Sequence, residues 1–291
     1  MKFDIHNIDR RIIYLLVFLA IAIPLLLELS VKPARMKAAE KFFNLVEGLD
    51  VNASGVALLA FDFGPNTKAE NEPQAEVILE HLMRRRIPVA IMTQYALAEG
   101  FLSSVPERVA KRLAREYPGE KWEYGQDWVN LGYRPGMALF IQALAKSENM
   151  LEDLGKDAYG SSLTDFEAFK SLKTLEDVKL LAEFTGLVGV FDVYVQFFQK
   201  EGYVPAFGHG CTSITIPEAY IYLDSGQLKG LLEGIAGAAW YSELLRNKYP
   251  AREADSALIA NTALGVAHLV IIFLIIFGNL VALLVRRPAT S

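Results

Sequence analysis

The sequence predicts an α/β fold: a three-layer Rossmann-like or flavodoxin-like domain with a mostly parallel sheet of about five strands, flanked by two transmembrane helices. Three observations carry that prediction. Long apolar runs stand near both ends of the 291-residue chain. Between them, short apolar runs alternate with segments of helical periodicity, the rhythm of strand–helix–strand crossovers. The links joining these segments are short, as such units require.

The ends divide into a tail (1–11), a first span (12–29, IIYLLVFLAIAIPLLLEL), a linker (251–263), a second span (264–285, LGVAHLVIIFLIIFGNLVALLV) and a tail (286–291). Each span is near the ~20 residues that cross a bilayer core. The first is long for a signal-peptide core, contains Pro24 and lacks a small-x-small cleavage site, so it reads as an uncleaved anchor. Lys2, Arg10 and Arg11 at one end, with Arg286 and Arg287 at the other, place both tails in the cytoplasm and the domain outside it. Lys32, Arg35, Lys37 and Lys41 pull the other way, but long translocated domains largely escape that rule. Asn261, His268 and Asn279 fall within about 20° of one helical face. Polar groups in lipid face protein, so this stripe is expected to meet a helix, either the first span or another subunit.

The hydrophobic share of 52% is concentrated in the two end runs, and a formal charge of −5 gives no basic footprint for nucleic acid. One cysteine excludes an intrachain disulfide.

Residues 30–50 read as a juxtamembrane helix, with Phe42, Phe43, Val46 and Leu49 on one side, and 51–250 as the α/β domain. GVALLAFDFGP is a buried strand stopped by Asp62, Gly64 and Pro65, and Pro73 opens a helix whose Ile78, Leu79 and Leu82 face inward. Arg84, Arg85 and Arg86 end that helix where cations suit its dipole. IPVAIMT is the second strand, a polar helix covers about 95–117, and DWVNLGY (127–133) is the third strand. A helix follows Pro135, and 150–172 is an irregular excursion. DVKLLAEFTG (177–186) is the fourth strand, VFDVYVQFFQKEG a helix, and YVPAF (203–207) the fifth strand. Pro217 opens a helical region reaching Tyr249, in which Gly226, Gly230, Gly234 and Gly237 share one face for close packing.

In such a sheet ligands bind at the carboxyl ends of the strands. Those ends supply Asp62, Gln94, Tyr133, Arg134, Thr185, His209 and Ser213 as ligand-binding candidates. No G-x-G-x-x-G, P-loop or G-x-S-x-G occurs, which argues against a dinucleotide site, a P-loop NTPase or an α/β-hydrolase. No cofactor is expected, and histidines and cysteine too scattered for a ligand set make a metal site unexpected. FGHGC holds Cys211 two residues from His209 in what reads as the loop after the fifth strand. This would serve a thiol-dependent hydrolase or transferase only if the glycines turn the pair together.

IDRRIIYLLV, ALLAFDF and YLDSGQLKGLLEGIAGAA resemble segments of a group of bacterial membrane proteins with two spans flanking a Rossmann-like α/β domain. No activity is established for that group, so the resemblance implies a place in the bacterial inner membrane and no catalytic residues. The first strand–helix–strand unit is also similar in outline to Rossmann-like domains of bacterial membrane-assembly proteins. The expected function is a membrane-anchored scaffold or binding subunit, its partners being the bilayer, other membrane-protein subunits or further copies of itself, and not nucleic acid. The alternative is the membrane-bound thiol enzyme using Cys211 and His209.

Overall fold

The computed structural model describes residues 9–285 and divides into two units, residues 34–253 and a helical unit built from the two ends. Lys2, His6, Arg286 and Arg287 lie outside the described residues.

In the larger unit, α2 (Lys37–Glu47) precedes β1 (Val56–Phe61), α3 (Lys68–Arg84), β2 (Val89–Thr93), α4 (Glu99–Glu116) and β3 (Trp128–Tyr133). The chain continues through α5 (Ala138–Ala145), α6 (Met150–Leu154), β4 (Val178–Thr185), α7 (Val190–Phe197) and β5 (Phe207–Cys211). It closes with α8 (Ile216–Asp224), β6 (Gly230–Glu233) and α9 (Gly234–Lys248). All strand pairs are parallel, in the order β3-β2-β1-β4-β5-β6. That is the doubly wound dinucleotide-fold order rather than the flavodoxin one, and its switch point lies between β1 and β4. The strands are buried on both faces, as the continuous apolar runs required.

The sheet has six strands, not five, and the difference sits in the glycines. The segment from 230 to 233 is a strand, so Gly226, Gly230, Gly234 and Gly237 do not share a helix. Gly226 and Gly234 adopt φ of 78° and 55°, conformations that cost a residue with a Cβ. A Cβ on Gly230 would lie 2.4 Å from Phe42 Cβ, and one on Gly208 would lie 2.1 Å from Phe42 Cζ. These two glycines are therefore the seat of α2 on the sheet.

The fifth strand is Phe207–Cys211, four residues later than YVPAF suggests. FGHGC is thus the strand itself, with Gly208 and Gly210 toward α2 and α3 and His209 and Cys211 toward α7 and α8. Alternation by two residues separates these faces. Gly210 clears Gln74, whose Nε2 lies 2.8–3.1 Å from the carbonyls of Cys211, Leu232 and Gly234 and satisfies the ends of β5 and β6.

Helix α3 starts at Lys68 rather than Pro73 and is buried on nearly every side from Asn71 to Met83. Its acids are paired accordingly. Glu80, wholly buried, accepts from Arg252 Nε at 2.7 Å and Nη2 at 2.8 Å, from Arg84 Nε at 2.8 Å and from Arg112 Nη2 at 2.6 Å. The basic triplet is structural: Arg84 joins Glu80 and Glu116, Arg85 holds the Val46 and Leu49 carbonyls, and Arg86 joins Glu120 and Asp127.

In the terminal unit, α1 (Arg10–Leu26) has 17 residues, short of the 12–29 span the sequence suggests. The chain leaves the helix after Leu26, and Glu28 takes φ 50°. At 1.5 Å per residue the helix is about 26 Å long, below the ~30 Å apolar core of a bilayer. Among the described residues, one helix is long and apolar enough to cross a membrane, Ser256–Leu283, within α10 (Ser256–Val285). It begins eight residues ahead of the expected second span, inside the presumed linker, because Asp255 caps it by accepting from Leu258 N at 3.1 Å. The buried residues of α10 (Ala257, Leu258, Thr262, Ala263 and Ala267) include small side chains, as do the buried Ala20 and Pro24 of α1. The polar stripe is not among them: His268 and Asn279 are exposed and Asn261 is half-buried.

Candidate functional site

At the switch point, residues two apart on neighbouring strands stack into polar rows on the face covered by α7 and α8. Register pairs Ala60 with Glu183 and Glu183 with His209; one step on, Thr185 pairs with Cys211 and Cys211 with Glu233. Asp62 follows β1 immediately. Its Oδ1 accepts from Gln94 N at 2.6 Å and Thr93 Oγ1 at 3.0 Å, its Oδ2 from Tyr194 OH at 2.7 Å, and its carbonyl from Thr185 Oγ1 at 2.8 Å. His209 Nδ1 lies 2.7 Å from Glu183 Oε2 and 3.0 Å from the Glu183 carbonyl, with Phe191 stacked on its ring at 4.2 Å.

The electrostatics follow from burial without a cation. Desolvation pushes Asp62 up to about 6 against its three hydrogen bonds. Burial, then the nearby Asp62, pushes Glu183 well above the usual carboxylate range. Burial pushes His209 down to about 3. The His209 Nδ1 hydrogen bond goes to the Glu183 carbonyl, and neither carboxyl oxygen of Glu183 has a hydrogen-bond partner.

The crevice itself is closed. A Cβ on Gly186 would lie 2.6 Å from both Thr67 Cγ2 and Thr212 Cγ2, and one on Gly64 would lie 2.8 Å from the Tyr95 ring. The cavity beside His209 is about 10 Å³, room for roughly one water. Where a dinucleotide fold would present helix N–H groups to phosphate, Glu70 accepts from Ser213 N at 2.9 Å and Ser213 Oγ at 2.6 Å. Among the described residues no three metal-ligating side chains converge.

The structure thus brings Asp62, Gln94 and Thr185 into one buried hydrogen-bond network, with His209 buried on the same face against Glu183. It does not bring in the other candidates. Arg134 donates to the carbonyls of Leu131, Leu154 and Lys156 and staples the loops after β3. Tyr133 is exposed, and Ser213 is held by Glu70. The Cys211 thiol contacts the Leu232 carbonyl, burial pushes it up to about 12, and His209 turns to Glu183 instead. Glu183, which the sequence places at the end of the fourth strand without a role, and Tyr194, which it does not single out, complete the cluster. The only sequence signal for Glu183 was an acid in an otherwise apolar run, and for Tyr194 there was none.

Fold and site together define a Rossmann-like α/β protein whose switch-point crevice is sealed around a buried acid–histidine cluster. Neither a protein-family model nor a curated protein matches the chain.

Proposed function

We propose that the chain is a membrane-anchored binding subunit of a larger complex in the bacterial inner membrane, its α/β domain recognising a protein partner through the carboxyl edge of the sheet. One observation carries this reading. The edge that would take a small ligand is closed, yet the segments after four of its strands each expose an apolar side chain: Leu97 after β2, Leu139 in the first turn of α5 after β3, Val188 after β4 and Ile214 after β5. Ile214 is 87% exposed and Leu139 79%. Scattered exposed apolar residues are ordinary, but one after each of β2, β3, β4 and β5 on a single edge suits a protein-binding surface.

Two further features support assembly within the membrane. The exposed apolar side chains of α1, among them Tyr14, Phe18 and Leu26, suit a second crossing completed by Leu27 and Leu29, with both tails cytoplasmic and the domain outside. His268 and Asn279, left exposed on α10, suit a helix from another subunit, because polar groups in lipid require a partner.

The test is site-specific photo-crosslinking in intact cells with the probe at Ile214 or Leu139, and at Glu201 beside the amino end of β5 as control. The first two should give one discrete adduct that Glu201 does not, and Leu139→Asp should abolish the Ile214 adduct. An uncrosslinked rim, together with a monomeric full-length chain in mild detergent, would sink the reading.

A further inference from the structure

Away from the carboxyl edge, the face of the sheet covered by α7 and α8 opens into a cavity of about 470 Å³ near the amino ends of β5 and β6. That volume lies in the range of small-molecule sites, about 300–1,000 Å³, and far exceeds the 10 Å³ beside His209. Its apolar lining combines the exposed Val204 with nearly buried carbon of Leu181 from β4, Phe207 from β5, and Val195 and Phe198 from α7. Tyr194 lines it as well, wholly buried, with its hydroxyl turned to Asp62.

The polar lining side chains are Gln199, Ser225, Gln227 and Lys229, all exposed, and no acidic side chain lines the cavity. In a chain of net charge −5, this is an apolar chamber with a cationic, amide-rich mouth. Lys229 Nζ gives one hydrogen bond, 2.7 Å to the Gly226 carbonyl, and an ammonium group carries three donors. Lys229 N also bonds the Phe207 carbonyl at 2.8 Å, which fixes the base of that side chain against the start of β5.

We propose that this cavity binds a carboxylate carried on an unbranched hydrocarbon tail, the tail against Leu181, Val195, Phe198 and Phe207 and the carboxylate at Lys229. Lys229 is the one charged side chain of the lining, so the orientation is set. A cationic head would face Lys229 with no acid to receive it. The site is independent of the partner-binding edge, since the two lie at opposite ends of the strands.

The experiment is calorimetric titration of the full-length chain in nanodiscs with octanoate, octanol and octylamine below their aggregation concentrations, against empty nanodiscs. Octanoate should bind saturably and at least tenfold more tightly than octylamine. Lys229→Gln should weaken octanoate about tenfold while leaving octanol unchanged, and Val195→Trp, which fills the chamber, should abolish binding of both. Should Val195→Trp fail to fold, the Lys229→Gln comparison still decides. Heat no larger than that of empty nanodiscs, or octanoate affinity indifferent to Lys229, would overturn the assignment. The source of the ligand is read by extracting the purified protein: a co-purifying long-chain acid points to membrane lipid, and binding of added octanoate to an empty protein points to a free soluble acid.

Discussion

The two faces of the sheet each bury a glutamate completely, and the two glutamates behave in opposite ways. On the face of α3, α4 and α9, Glu80 meets Arg84, Arg112 and Arg252, and these cations hold its carboxyl far below the usual range despite the cost of burial. On the face of α7 and α8, Glu183 meets a neutral histidine and another acid, and burial drives it upward. Burial alone therefore does not decide the charge of a carboxyl; the partners that the register and the helices supply do. One face is an ion-paired, closely packed support. The other keeps buried polar groups without a cation, a cavity of about 470 Å³ and the sealed switch point.

Arg252→Ala breaks the comparison at its strongest point. It leaves Glu80 without its two-pronged partner and should destabilise the chain by about 3–5 kcal/mol in chemical denaturation. Arg252→Met separates lost packing from uncompensated charge and should recover little unless Glu80→Gln is added. Next in size is Gly208→Ala, which forces Phe42 off the sheet and should cost about 1–3 kcal/mol. Phe42→Ala combined with it should cost less than the two singly, whereas simple additivity would show that the glycine serves something other than α2 packing.

Glu183→Gln sharpens the contrast through pH. A group with a raised folded pKa stabilises at low pH and loses that contribution as pH rises. Relative to the parent, the variant should therefore gain about 1.4 kcal/mol per pH unit above the ordinary value of 4.5, until the folded carboxyl ionises. Glu80→Gln should do the reverse, its penalty shrinking as pH falls below 4.5. In the parent itself, His209, lowered from 6.5 to about 3, loses stability as pH falls from 6.5. Asp62, raised from 3.8 to about 6, gains stability over the same direction of change below 6. His209 offsets only one of the two raised acids, Asp62 and Glu183, so the cluster's contribution to stability should fall as pH rises from about 4.5 to 6, and Glu183→Gln should flatten that slope. A slope that Glu183→Gln leaves unchanged would show that this carboxyl ionises in its ordinary range. The smallest effect is kinetic: Cys211 should resist alkylation at pH 8 in the native chain and react at once in denaturant, as expected of a buried thiol pushed up to about 12.

The legible parts of the molecule were those with local causes. Strands β1 to β4 announce themselves as apolar runs stopped by turn residues, and Asp62 and Thr185 fall at strand ends where the reading put them. Strand β6 was hidden because four residues that begin with glycine carry too little pattern, and because the reason for Gly230 is Phe42, nearly two hundred positions away. The Glu183–His209 contact was hidden for the same kind of reason. It depends on which residue of β4 stands opposite which residue of β5, and a shift by one would turn both side chains to the other face. The first helix is shorter than its apolar run, since the chain turns after Leu26 before the helix reaches the ~20 residues the composition suggested.

By itself the sequence determined the fold class and the apolar character of both ends, because hydrophobic periodicity and turn chemistry act between near neighbours. Only the tertiary structure decided that FGHGC is a strand rather than a loop, that His209 answers to Glu183 and not to Cys211, and that the crevice is sealed. Those outcomes rest on contacts between residues far apart in the chain, where the close approach of α2 and α3 to β5 leaves room for hydrogen alone at Gly208 and Gly210.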